Sequence, residues 1–107
     1  MIIQYGLKND DIEQIKAIFA QFSQIEQVIL YGSRAKGNFK IGSDIDLTLV
    51  GENINLKLLN KIDLLIDDLL LPYTFDISIY RQIKNTELLE HISRVGKVIF
   101  QKNSSEI

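Results

Sequence analysis

Leu30-Tyr31-Gly32-Ser33-Arg34-Ala35-Lys36-Gly37, followed by Ser43-Asp44-Ile45-Asp46-Leu47, is the stretch on which the reading of this chain turns. A short apolar run ends in a Gly-Ser turn, and ten residues later an Asp-x-Asp pair opens a second apolar run. An Asp-x-Asp alone is expected by chance about 0.6 times in a chain with this aspartate content. Requiring the Gly-Ser turn upstream lowers the expectation to about 0.002, so the conjunction carries information that neither part does. Small glycine turns cradle phosphates and paired carboxylates hold magnesium, so the two together point to a nucleoside triphosphate.

The periodicity around this stretch suits a sheet flanked by helices. Val28 to Tyr31 reads as a short strand, and Gly32-Ser33 then opens a short helix through Arg34-Ala35-Lys36. Ile45 to Val50 alternates with Asp46 and Thr48, the period of a strand. Thr74 to Tyr80 alternates again, with Asp76 on the polar phase between Phe75 and Ile77. Upstream, Ile12, Ile15, Ile18, Phe19 and Phe22 fall on one helical face, and Asp10 with Glu13 forms a capping-box start. Residues 55–71 are expected to form a long helix stopped by Pro72, and residues 86–95 another, with Gly96 as its stop. Val98 to Phe100 reads as a closing edge strand and Lys102 to Ile107 as a loose tail. The predicted order is α-β-(α)-β-α-β-α-β, an α/β (α+β) arrangement of a sheet with helices on one or both faces.

Composition narrows the partners. With 107 residues, 46% apolar and 24% charged, residues 1–107 are expected to form a single globular domain. A net charge of −2 provides no electrostatic footprint for direct nucleic-acid binding. The absence of cysteine excludes disulfides and Cys-ligated zinc and suits a reducing cytoplasm. The opening Met1-Ile2-Ile3-Gln4-Tyr5 lacks the layout of a signal peptide, and no apolar stretch nears the roughly 18 residues of a membrane span. A cytoplasmic location is therefore expected.

The chemistry rests on few side chains. On a strand, Asp44 and Asp46 would leave the same face with Cα atoms about 6.5–7 Å apart, while Ile45, Leu47 and Leu49 turn to a core. Carboxylates so placed can converge on one Mg²⁺, or on two ions about 3.5–4 Å apart. Asp76 joins them if its strand is the neighbour. The bland alternative is a set of solvated aspartates on a wet sheet face, but aspartate is a poor strand former and here interrupts apolar runs. Backbone N–H groups and the Ser33 hydroxyl at the helix start would face a phosphate, and Gly32 permits close approach. Arg34 and Lys36 are candidates to neutralise phosphate charge, against the ordinary reading of surface cations.

Other familiar sites fail. There is no Gly-Lys-Ser/Thr triplet for a P-loop, and Leu49 stands where a calcium loop opening at Asp44 needs glycine. His91, the single histidine, reads as a partly covered helix residue rather than a ligand or base. In the helix over 55–71, Leu58, Leu59, Ile62, Leu65, Ile66, Leu69 and Leu70 make an apolar arc. Leu56, Leu64 and Leu71 lie outside it, as scattered surface leucines or as a docking face for another subunit.

Gly32-Ser33-Arg34-Ala35-Lys36-Gly37, Ser43-Asp44-Ile45-Asp46-Leu47 and the later Asp76 resemble the minimal nucleotidyltransferase (MNT) family of the polymerase β-like superfamily. The resemblance spans most of the chain. It implies a nucleotidyltransferase fold with a mixed β-sheet, in which Asp44, Asp46 and Asp76 bind two Mg²⁺ ions and ATP or another nucleoside triphosphate. It further implies that Asp76 helps activate an attacking hydroxyl and that Ser33 contacts phosphate. Family members commonly act as antitoxins of helical HEPN toxins, in hetero-oligomers, by transferring AMP from ATP to a tyrosine of the toxin. Larger superfamily members hold an acceptor with a second domain; residues 1–107 are expected to form one domain only, so a partner is expected to supply the acceptor. The alternative is a non-catalytic nucleotide-binding module that neutralises its partner by contact.

Overall fold

Helix α1, Asn9–Phe19, grows out of a hairpin that the apolar pattern does not announce. The structure is a computed structural model that describes residues 3–102. Strands β1 (Ile3–Gln4) and β2 (Leu7–Lys8) pair antiparallel with Gln4 opposite Leu7, leaving Tyr5 and Gly6 as a two-residue turn. Both turn residues have positive φ, 58° and 75°. That is the twist two-residue hairpins prefer, and Gly6 meets it freely while Tyr5 does not. Because the hairpin runs straight into α1, the helix starts at Asn9 and its cap position is Lys8, with no side-chain cap bond. The expected Asp10–Glu13 capping box therefore does not form. Asp10 lies in the first turn, where its charge complements the helix dipole, and Glu13 pairs with Lys16 at 3.6 Å.

Ile12, Ile15, Ile18 and Phe19 bury the inner face of α1 as the pattern predicts, while Phe22 follows the helix in a turn and packs against the core from there. Strand β3 (Gln27–Tyr31) then leads directly into α2 (Gly32–Lys36), and a loop returns the chain to β4 (Ile45–Val50). β4 runs antiparallel to β3. Helix α3 (Leu56–Asp67) crosses over to β5 (Phe75–Ile79), which pairs parallel with β4. A parallel neighbour requires such a crossover. After a 3-10 turn at Tyr80–Gln82 come α4 (Thr86–Val95) and β6 (Lys97–Gln101), which pairs antiparallel with β3. The resulting four-stranded sheet has the order β5-β4-β3-β6 and is mixed, as expected.

Ile45, Leu47 and Leu49 alternate onto one face with Val28 and Leu30, and all five are buried in a core with α1 and α3. The opposite face carries Tyr31, Asp46, Thr48 and Asp76, and α4 covers only its β3 side. Gly96 ends α4 with φ −60°, not in the left-handed conformation expected of a helix-stopping glycine. Its requirement is space: a Cβ there would press on Ile29 and on the Ile92 carbonyl.

Asn55 and Asn85 cap α3 and α4 by accepting from the amides of Leu58 and Leu88, at 2.9 and 3.1 Å. α3 stops at Asp67, short of Pro72, and Leu70 takes a left-handed φ of 55°. The helical phase is lost there. Leu70, placed in the apolar arc by periodicity, is 88% exposed, whereas Leu71 packs against the core. Leu56 and Leu64 are exposed, as expected. The predicted tail beyond Lys102, like Met1 and Ile2, lies outside the described residues. No helix among the described residues is long and apolar enough to cross a membrane.

Candidate active site

One cross-strand row defines the site. Tyr31 near the end of β3, Asp46 on β4 and Asp76 on β5 are directly opposed in register, so their side chains share the face that α4 leaves partly open. Directly opposed side chains on neighbouring strands have Cβ atoms about 4.5–5.5 Å apart. The topology thus brings together Asp46 and Asp76, thirty positions apart in sequence, because α3 returns β5 alongside β4. Asp44 is the exception to the expected strand geometry: it is exposed and lies just ahead of β4, which begins at Ile45. It remains close enough for its charge to act on Asp46.

Asp46 is the half-buried member of the set. Its pKa is raised, first by burial and then by repulsion from Asp76 and Asp44. A carboxylate whose charge is penalised by two neighbouring carboxylates belongs to a donor set that a cation would relieve. That chemistry fits a hard divalent ion. Among the described residues, however, no three His, Cys, Asp or Glu side chains stand close enough to form a ready metal cage. Tyr31 is also raised, chiefly by burial and further by Asp76 and Asp46, so it faces the carboxylates as a neutral phenol. One row further along, Ser78 Oγ donates to Thr48 Oγ1 at 2.9 Å, and the fully buried Thr48 closes the floor of the site.

Gly32 abuts this row. Its φ of 76° disfavours any side chain, and a Cβ would run into Oδ2 of Asp46. The glycine is thus required first by the carboxylate beside it. Its N–H, expected to be free for a phosphate, donates to Nε2 of His91 at 3.0 Å. The turn's remaining donors are those of Ser33 and the residues after it. Ser33 occupies the second position of α2 and is half-exposed, and Lys36 is exposed at the last.

Arg34 departs from its sequence expectation. A phosphate contact needs an available guanidinium, but Arg34 is only 5% exposed. Its Nε and Nη2 donate to the Ser43 carbonyl at 3.1 and 2.9 Å, and its Nη1 donates to the Tyr5 carbonyl at 2.9 Å. The rings of Phe39 and Tyr73 flank it, 5.3 and 5.6 Å from its central carbon. Arg34 therefore braces the strained hairpin turn and the loop that delivers Asp44. A hollow of about 200 Å³ beside this brace is lined by Phe39, Ser43 and Tyr73 but by none of the three aspartates.

Tyr31 is a site residue that the sequence does not single out, and His91, half-buried on its helix as expected, also reaches the site. Tyr31 was part of the decisive stretch, but nothing in it tells that register would set Tyr31 opposite Asp46. His91 carries no local signal; only the packing of α4 on the end of β3 brings it to Gly32, with its ring edge-on to Tyr31 at 6.2 Å.

A family model described as Polymerase beta, Nucleotidyltransferase matches residues 13–105. Among solved structures, the chain is similar to one described as a toxin-antitoxin with AMP-PNP, with a TM-score of 0.68 and 17% identity, covering 91% of this chain and 76% of that one. It is also similar to a chain of the toxin-antitoxin MntA-HepT, at a TM-score of 0.65 and 14% identity over 89% and 74% of the two chains. A third similarity is to a complex of tri-AMPylated Shewanella oneidensis HEPN toxin with MNT antitoxin, at a TM-score of 0.63 and 15% identity over 86% and 71%. At such identities these likenesses speak for the fold. No curated protein is similar to the chain at a significant level.

Proposed function

The chain belongs to the Polymerase beta, Nucleotidyltransferase family, and on that premise we propose that it is an MNT-type antitoxin that transfers AMP from ATP to a hydroxyl of a HEPN-type toxin. The observation that carries this reading is the Tyr31–Asp46–Asp76 row with the Gly32-Ser33 turn set against it. Those are the parts nucleotidyl transfer requires: carboxylates beside a turn whose donors face an anion.

Asp44, Asp46 and Asp76 are the residues that would hold Mg²⁺, with two ions the expected complement. Bound there, magnesium supplies neutralisation of charge on the triphosphate as it develops during transfer. The Ser33 hydroxyl and the free amides of the turn hold phosphate oxygens, and Lys36 adds positive charge at the rim. Asp76, on the edge strand and exposed, orients the acceptor hydroxyl and takes its proton. The acceptor oxygen bonds to the α-phosphorus, the bond from that phosphorus to the bridging oxygen breaks, and pyrophosphate leaves with the electron pair. The acceptor is a tyrosine of the partner, held in a cytoplasmic hetero-oligomer. The AMP-PNP and tri-AMPylated-toxin complexes among the structural neighbours lend support, although they describe those proteins.

The test is label transfer. Wild-type chain and Asp46→Asn are each incubated with Mg²⁺, ATP labelled at the α-phosphate, and the protein encoded beside the chain. A labelled protein band with wild type alone supports the reading. Tight partner binding and neutralisation without any label would replace it with the contact-only module.

A further inference from the structure

We propose that His91 is a positioning residue for this site, holding the Gly32-Ser33 turn in place over Asp46 through the Gly32 amide; the inference rests on the function proposed above. The amides of a helix's first turn have no partner within the helix, and the one at Gly32 finds its partner fifty-nine residues away, in Nε2 of His91 at 3.0 Å. For Nε2 to accept, the imidazole must be neutral with its proton on Nδ1.

The same ring also meets Tyr31 edge-on, with centroids 6.2 Å apart and planes at 80°. His91 therefore grips two consecutive residues across the strand-to-helix junction, one by its side chain and the next by its backbone. The support behind it is firm. The neighbouring Ile92 is buried, and Asn85 caps the start of α4.

The grip matters because Gly32 has no slack on its other side. Its α-carbon already lies against the Asp46 carboxylate so closely that a methyl group would collide with it. The turn is thus held between a hydrogen-bond acceptor on α4 and a carboxylate on β4. Removing the acceptor frees the turn to shift relative to Asp46, and with it Ser33. Misplacement of reacting groups by about 1 Å costs on the order of a hundredfold in rate.

His91→Phe retains the ring and its contact with Tyr31 but has no acceptor; His91→Gln restores a side-chain carbonyl. His91→Phe is expected to lower kcat by about 10–100-fold while KM for ATP stays within about threefold, and His91→Gln to recover much of the loss. In amide NMR spectra of the full chain, His91→Phe should displace the Gly32 resonance upfield together with those of Ser33 and Asp46. An unmoved Gly32 amide, or a moved one with kcat within about twofold of wild type, overturns the proposal. If wild type transfers no nucleotide, it is the proposed function that has failed. The spectrum then decides for His91: joint displacement of the three amides sustains it, and displacement of Gly32 alone overturns it.

Discussion

The α-carbon of Gly32 lies against the carboxylate of Asp46, and Gly32 holds a φ of 76° there. Gly32→Ala therefore meets two penalties at once, left-handed backbone strain and a clash with Oδ2 of Asp46. Together they should cost about 1–3 kcal/mol in urea unfolding. Nucleotidyl transfer should fall by at least about a hundredfold, because the relief available is to push Asp46 out of its row. Wild-type transfer by a folded Gly32→Ala variant would show that the contact is dispensable.

Asp46 also makes a prediction about pH. Burial and the carboxylates of Asp76 and Asp44 raise its folded-state pKa, so the folded chain binds that proton more tightly than the unfolded chain does. The associated stability is fully present below the unfolded pKa and is lost as pH rises through the folded one. Asp46→Asn should accordingly melt at a higher temperature than wild type at neutral pH in the presence of a chelator. The gap should close below about pH 4, where the unfolded carboxyl is also protonated. Added Mg²⁺ should raise the wild-type Tm more than that of Asp46→Asn. Melting curves across pH decide it; a variant less stable than wild type at pH 7 would contradict the repulsion described.

Arg34 acts by bracing, so its loss should register in stability before catalysis. Arg34→Ala leaves the Ser43 and Tyr5 carbonyls without their charged donor and removes the cation between Phe39 and Tyr73. Denaturant unfolding should reveal a loss of about 2–4 kcal/mol. Arg34→Lys should recover little, since a single ammonium cannot reproduce the planar fork. A variant of full stability with a greatly raised KM for ATP would instead make Arg34 a phosphate ligand.

A second buried polar contact gives a control that involves none of the three aspartates of the site. Tyr73 Oη donates to Oδ2 of Asp11 at 2.8 Å, and Asp11 is almost wholly buried. Tyr73→Phe should lower stability by about 1–2 kcal/mol and leave transfer unchanged once the chain is folded.

The fold and the candidate site were legible in sequence where pattern and position coincide. The alternation of Ile45, Leu47 and Leu49 with Asp46 and Thr48 announced both the strand and its inward face. The Gly-Ser turn and the aspartates marked the candidate site, although the placing of Asp76 beside Asp46 depended on parallel pairing of β4 with β5, which no residue spells out. Three things were illegible for physical reasons. The first hairpin turns at Tyr5-Gly6, and tyrosine is not a residue that signals positive φ. Arg34 looks like any surface cation until the loop carbonyls around it are known. Leu70 and Leu71 exchange roles because α3 ends at Asp67, before the apolar run does.

Transfer of a nucleotide through the aspartate row to a partner protein would be read at once by intact-mass spectrometry of that partner. The partner would be purified after co-expression with wild-type chain, with Asp46→Asn and with Asp76→Asn. A partner heavier by whole adenylyl groups, placed on tyrosine, is expected with wild type alone. An unmodified partner that is nevertheless neutralised by wild type and by both variants would contradict it.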